Sequence, residues 1–364
     1  MAASTDRGRL AGWRERVARL IPPPPPRASD EPRLRAGWRV IAAKELGDHV
    51  TSIRFIVLIF VIGIAAAVPL YFASARIREL AEQISSNQSV FLALFTVGPE
   101  NFERLRADTF VGLFAPLLGI AFGFDAVNVE RSEGTLPRLV SQPIHRDDVI
   151  NGKFVAGLAV ITIALVAMVL LVSGFGIARL GFAPELSEIL RIAAWVVLTV
   201  IYVGFWLAFA MLLSVALRRA ASSALIGFGV WVLTVLLGSL FLLEFLANLI
   251  APIPPQAFTE EEVQAQIRAA QTQNFIKRLS PHTLYTEASR VLLIPVDPVA
   301  SGAFTPATIE EIIQAQDPRR YLASRLSIDQ SLLLVGPQVV GLIALTSVMF
   351  GAAYVVFMRQ EIRA

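Results

Sequence analysis

The chain has 364 residues, 55% of them apolar and only 17% charged, with a mean hydropathy of +0.62. Soluble domains carry about 25% charged residues, so this composition excludes an ordinary soluble enzyme. The absence of Cys excludes disulfides, thiolate nucleophiles, zinc–thiolate sites and iron–sulfur clusters, and a net charge of only +3 gives no sign of a nucleic-acid partner.

In chain order, residues 8–21 place Leu10, Trp13, Val17, Leu20 and Ile21 on one helical face, with Glu15, Arg16 and Arg19 elsewhere. A basic helix on an anionic leaflet and a plain basic tail both fit that pattern. Pro22 to Pro26 form a stiff spacer. Residues 34–50 form a second amphipathic stretch through Leu34, Trp38, Ile41, Ala42 and Leu46, interrupted by Glu45, and read as an interfacial elbow helix. Residues 1–50 hold no apolar core of signal-peptide length, so the first span is expected to be a retained anchor.

Six runs lack Lys and Arg: about 55–75, 109–127, 154–176, 192–216, 223–249 and 332–357. Each is long enough to cross about 30 Å of hydrocarbon as a helix, the form that pairs every backbone N–H within the segment. The expected fold is therefore an all-α integral membrane protein with six transmembrane helices. Near the span ends, with the N-terminus inside, the inner segments carry 12 basic residues in 59 and the outer ones 6 in 48. That bias places both termini in the cytoplasm. The resulting divisions are a tail, proline linker and elbow (1–54), spans one to five with a cytoplasmic loop at 128–153 (55–249), an external helical cap (250–331), and span six with its tail (332–364).

In span two, Gly112, Ala115, Gly119 and Gly123 line one side, with Pro116 expected to kink the helix. Small residues at this spacing let two helices approach closely, here most simply within the chain. The six spans contain two acids, Asp125 and Glu244. Ionisable groups in hydrocarbon raise functional suspicion, but both lie near span ends, where water or a neighbouring helix can satisfy them. The cap begins with Pro252, Pro254 and Pro255. A Thr259-x-x-Glu262 capping box opens a helix to about Arg278. Ser280-Pro281 starts a second helix bearing Leu284, Ala288 and Leu292, and Thr305-Pro306 a third through Ile309 and Ile312.

Catalytic signatures are missing. No G-x-x-x-x-G-K-[ST] occurs: Gly152-Lys153 lacks the upstream glycine and is followed by Phe154. No H-E-x-x-H or G-x-S-x-G occurs, and His49, His145 and His282 are too dispersed to suggest a metal site. The chain is expected to be no enzyme and to hold no cofactor.

The most specific stretch is the loop between spans two and three. It reads Glu130-Arg131-Ser132-Glu133-Gly134-Thr135-Leu136, then Ser141-Gln142-Pro143-Ile144-His145-Arg146, then Gly152-Lys153-Phe154. Between Gly134 and Gln142 a short helix is expected, stopped by Pro143. Leu136, Leu139 and Val140 are apolar residues on an otherwise solvated loop. A partner surface and a plain connection both account for them.

This loop resembles the signature of the type 2 ATP-binding-cassette permeases, E-x-x-x-G-T-L, then S-x-P-x-x-R, then G-K. Glu130, Gly134, Thr135 and Leu136, then Ser141, Pro143 and Arg146, then Gly152 and Lys153 match it. Pro137 departs, since a glutamate is usual there. The resemblance implies a permease that pairs with a second permease subunit, identical or not. It also implies two separate ATPase subunits that hold ATP and Mg, with the loop serving as a coupling helix. Docking residues carried over on that basis are Glu130, Glu133, Gly134, Thr135, Leu136, Leu139, Pro143 and Arg146. The long external segment resembles a subgroup extended between spans five and six, where Ser280-Pro281 and Leu284 match. The expectation is an exporter subunit of the plasma (inner) membrane, in contact with lipid. A proton-coupled secondary transporter using Asp125 or Glu244, and a non-transporting envelope scaffold, are the alternatives.

Overall fold

Every regular element is helical among the residues that the computed structural model describes: 37–83, 91–97, 106–134, 145–181, 183–252, 260–294 and 326–360. The expected capping box at Thr259, the helix from Pro306 and the loop segment 135–144 lie outside the described residues. Six helical stretches are long and apolar enough to cross a membrane: Ile53–Tyr71, Ala107–Ser132, Arg146–Ala178, Leu186–Ala216, Ala220–Ile250 and Ile328–Arg359. They overlie the six runs free of Lys and Arg; the first ends at Tyr71, four residues short of its run, and elsewhere the ends extend by up to eight residues because polar residues tolerate the membrane boundary.

We number the helices in chain order. The elbow is α1 (Gly37–Val50), and the first span lies in α2 (Ile53–Gln83). After the single turn α3 (Ala93–Thr96), the second span is α4 (Ala107–Gly123), a turn, and α5 (Asn128–Ser132). The third and fourth are α6 (Arg146–Leu180) and α7 (Leu186–Ala216). The fifth is α8 (Ala220–Trp231), two π-helical turns (Val232–Leu236 and Gly238–Leu242) and α9 (Leu243–Ile250). Then follow α10 (Glu260–Arg278), α11 (Pro281–Leu293) and the sixth span, α12 (Ile328–Arg359).

The centre is α7, which packs against α4, α6, α8, α11 and α12. Its Trp195, Tyr202, Trp206, Leu207 and Met211 are fully buried. In a bilayer, apolar side chains gain little by leaving lipid for protein, so close backbone approach and hydrogen bonds hold such a bundle. The glycine stripe of α4 supplies the approach. A Cβ on Gly119 would stand 2.6 Å from the Val203 carbonyl oxygen, and one on Gly123 would stand 2.7 Å from the Ala210 Cβ. The stripe thus serves packing within the chain, and α4 continues as one helix through Pro116.

Two ends of the bundle are distinct. At one, α1 lies across the start of α6, where a Cβ on Gly152 would meet the Ile41 side chain and the Trp38 carbonyl oxygen at 2.8 Å. The Trp38 N–H, in the first turn of α1 where no helical acceptor exists, donates to Asp148 Oδ1 at 3.0 Å. At the other end, α11 packs between α4, α7 and α12, burying Leu284, Tyr285, Ala288, Val291, Leu292 and Leu293. Leu284, Ala288 and Leu292, expected on this helix from the sequence, lie on its buried side.

Candidate functional site

At the α1 end, side chains from three helices converge. The Lys153 ammonium of α6 lies 2.8 Å from the Glu130 carboxylate of α5 and 3.0 Å from that of Glu45 in α1. Lys153 is 7% exposed, so its charge is sustained by the two carboxylates rather than by water. Glu45 interrupts the apolar face of the elbow in sequence; in space it is the polar contact by which that face grips α6. The glutamate of E-x-x-x-G and the glycine and lysine of G-K therefore have separate local tasks. Gly152 admits α1, and Lys153 joins α1 to α5.

The two roots of the loop are tied to a third point. Gln360, just past α12, accepts from Arg131 Nη2 through its side-chain oxygen at 2.5 Å and from Arg146 Nη1 through its backbone oxygen at 3.3 Å. Its Nε2 donates to the Val215 carbonyl at 2.6 Å, and Arg131 Nη1 donates to the Leu217 carbonyl at 3.3 Å. These bonds fasten both ends of the loop to the last turn of α7. Ser214 of α7 accepts from the Val127 and Asn128 N–H groups, at 3.0 and 3.2 Å, so the start of α5 is held to the same turn.

Of the loop residues singled out by sequence, Glu130 faces inward to Lys153, and Arg146 is half-buried against Gln360. Glu133 and Gly134 are exposed, and Gly134 takes φ +66°, a left-handed conformation that favours glycine where α5 gives way to the loop. Thr135, Leu136, Leu139 and Pro143 lie outside the described residues.

Both span acids have basic partners. Asp125, in the turn after α4, pairs with Arg54 at 2.5 Å, and that guanidinium lies over the Phe124 ring. Glu244 pairs with Lys277 at 3.4 Å and is 69% exposed. One pair lies at the α1 end and the other where α9 meets α10, toward the opposite end. His49, edge-on to Phe122, has its pKa lowered by burial, which Glu45 and Asp125 oppose and Lys153 and Arg54 reinforce.

A buried polar seam secures α11 at the far end. The Trp195 indole N–H donates to Ser289 Oγ at 2.7 Å, Tyr202 OH donates to the Gly112 carbonyl at 3.1 Å, and His282 Nδ1 lies 3.2 Å from the same hydroxyl. Tyr202 and Tyr285 stack with ring centroids 4.4 Å apart. Burial pushes the His282 imidazole down to about 4, so it is neutral near pH 7.

Sequence reading missed Glu188 and Arg191, because a run defined by lacking Lys and Arg must stop at Arg191. Both are buried. Arg191 donates to the Leu292 carbonyl at 3.2 Å, to Ser331 Oγ at 3.0 Å and to the Leu326 carbonyl at 2.5 Å, so it joins the end of α11 to the start of α12. Glu188 accepts from the N–H groups of Phe91 and Glu185 at 3.0 and 2.9 Å. An acid and a base three residues apart, just ahead of an apolar run, were the available signal.

Six membrane-length helices among the described residues define a protein of the multi-pass membrane class. A family model described as ABC-2 family transporter protein matches residues 39–362, so the chain belongs to the ABC-2 transporter family. It is also similar to the probable ABC transporter permease protein NosY of Stutzerimonas stutzeri, 31% identical over 137 residues. That match covers 36% of this chain and 48% of the relative, so the chain spans about half the length of the curated relative it matches.

Proposed function

We propose that the chain is the membrane-spanning subunit of an ABC exporter in the plasma (inner) membrane, working as one of two permeases with two separate ATPase subunits that hold ATP and Mg. In this reading the α1 end faces the cytoplasm, in keeping with the Lys and Arg bias near the span ends. The observation that carries the reading is the anchoring of both loop roots to one residue, Gln360, beside the Lys153 trio.

A helix docked in a groove of an ATPase transmits force only if its roots are stiff. Here a push on residues 135–144 reaches α7 and α12 through Arg131, Arg146 and Gln360, and reaches α1 and α6 through Glu130 and Lys153. The docking residues are Glu133, Gly134, Thr135, Leu136, Leu139 and Pro143, while Glu130 and Arg146 position them. Asp125 and Glu244, separated and each paired, give a proton relay little support.

The test is retention of the ATPase. The chain, co-expressed with the ABC ATPases of its source, is purified with Glu133→Arg or Gly134→Leu. The variants are expected to insert normally and to lose ATPase retention or its coupling. Unchanged assembly and hydrolysis in both would overturn the reading.

A further inference from the structure

A cleft of about 410 Å³ opens at the α1 end between α1, the start of α2, the end of α4, α5 and α6. Phe122, Ala126 and Val129 supply its apolar lining, and five carboxylates, three permanent cations and the His49 imidazole supply the rest. Deep in it, Lys153 is occupied by Glu45 and Glu130. Four charged side chains are more open to solvent. Lys44 and Asp48, 65% and 64% exposed, pair with each other at 3.4 Å; Arg54, 53% exposed, pairs with Asp125; and Glu133 is exposed too, so a zwitterionic ligand would exchange these solvent-facing pairs for its own phosphate and ammonium.

Arg54 also begins the first membrane helix. On its side of α2, Val57, Val61, Ile64 and Val68 follow at helical spacing, all exposed. A cleft of mixed charge thus runs directly into an apolar stripe at the point where a membrane helix leaves hydrocarbon.

We propose that this cleft holds the headgroup of an amine-bearing zwitterionic phospholipid, with the acyl chains laid along α2. The phosphate lies against Lys44 and Arg54, and the primary ammonium donates to Asp48 and Glu133. Charge complementarity selects this occupant. With five carboxylates against three permanent cations, the cleft repels a purely anionic headgroup. A choline headgroup has no N–H to donate to the carboxylates. The inference rests on the membrane-spanning reading of the helices; because Glu133 is also a proposed docking residue, lipid binding is measured without the ATPase, so that the two readings fail separately. Because α5 forms one wall, a bound lipid would also steady the root of the loop.

The test uses the purified chain without any ATPase. It is titrated in detergent with phosphatidylethanolamine, phosphatidylcholine or phosphatidylglycerol, and bound lipid is counted by native mass spectrometry. One phosphatidylethanolamine per chain is expected, held roughly tenfold more tightly than either other lipid. The double variant Lys44→Gln, Glu133→Gln is expected to lose about that tenfold preference while its lipid-free thermal midpoint stays unchanged. Should that variant fold poorly, Val61→Asn, on the acyl stripe, is expected to weaken all three lipids together. Equal or tighter binding of phosphatidylglycerol, absence of a retained lipid, or a preference untouched by the charge variant would overturn the proposal. The last result would mean that another occupant, such as residues 1–36 or a partner protein, fills the cleft.

Discussion

Lys153 Nζ lies 2.8 Å from the Glu130 carboxylate, and this one ion pair closes the loop between the second and third spans at its base. Replacing the cation leaves the half-buried Glu130 and Glu45 carboxylates facing each other without it. Lys153→Met is expected to destabilise by about 3–5 kcal/mol, the usual penalty for stranding one side of a buried pair. Adding Glu45→Gln and Glu130→Gln should recover part of that loss. Thermal unfolding in detergent is the check, and a triple variant no more stable than Lys153→Met would contradict the ion-pair account.

Gly119 and Gly123 set the distance between α4 and α7. Their side-chain positions are occupied by Val203, Leu207 and Ala210, several through backbone atoms that cannot rotate away. Gly119→Leu and Gly123→Leu should each destabilise by more than about 3 kcal/mol or abolish insertion. Gly229→Ala, with nothing within 4 Å, should be neutral or slightly stabilising. Yield of monodisperse protein and the unfolding midpoint distinguish the two classes.

His282 gives a pH dependence of defined sign. Its folded pKa of about 4 lies below the ordinary value of 6.5, so the unfolded chain takes up more protons between those values. The associated stability is complete above pH 6.5 and falls as the pH approaches 4, by about 3 kcal/mol at most. His282→Gln should flatten the midpoint-versus-pH curve of the wild type over that window. Parallel curves would show that burial of this imidazole does not tune stability.

Much of the bundle was legible because Lys and Arg are so strongly excluded from hydrocarbon that their absence marks the spans. The same rule hid Arg191, which enters the bundle because two carbonyls and a hydroxyl receive it. Glu45 looked like a flaw in the elbow because one sequence cannot show that Lys153 stands opposite. The two π-helical turns of the fifth span were invisible to hydropathy, which is indifferent to winding.

The span acids test the energy source. Asp125→Asn weakens the hold on Arg54 and should lower ATP-driven turnover only in part, because the Lys153 trio remains. Glu244→Gln removes an exposed pair and should change stability by less than about 1 kcal/mol. Turnover in reconstituted vesicles is the readout, and complete loss from either substitution would favour a proton-coupled mechanism.

In the proposed function this chain borrows its energy through the loop between Glu130 and Arg146. The most direct measurement is ATP hydrolysis in lipid vesicles by the chain alone, by the ATPase with the chain, and by the ATPase with a chain whose residues 135–142 are replaced by a Gly/Ser linker. The expected result is no hydrolysis by the chain alone, hydrolysis by the assembled complex, and loss of complex formation when the loop is replaced. A replaced loop that still retains the ATPase and its full activity would contradict it.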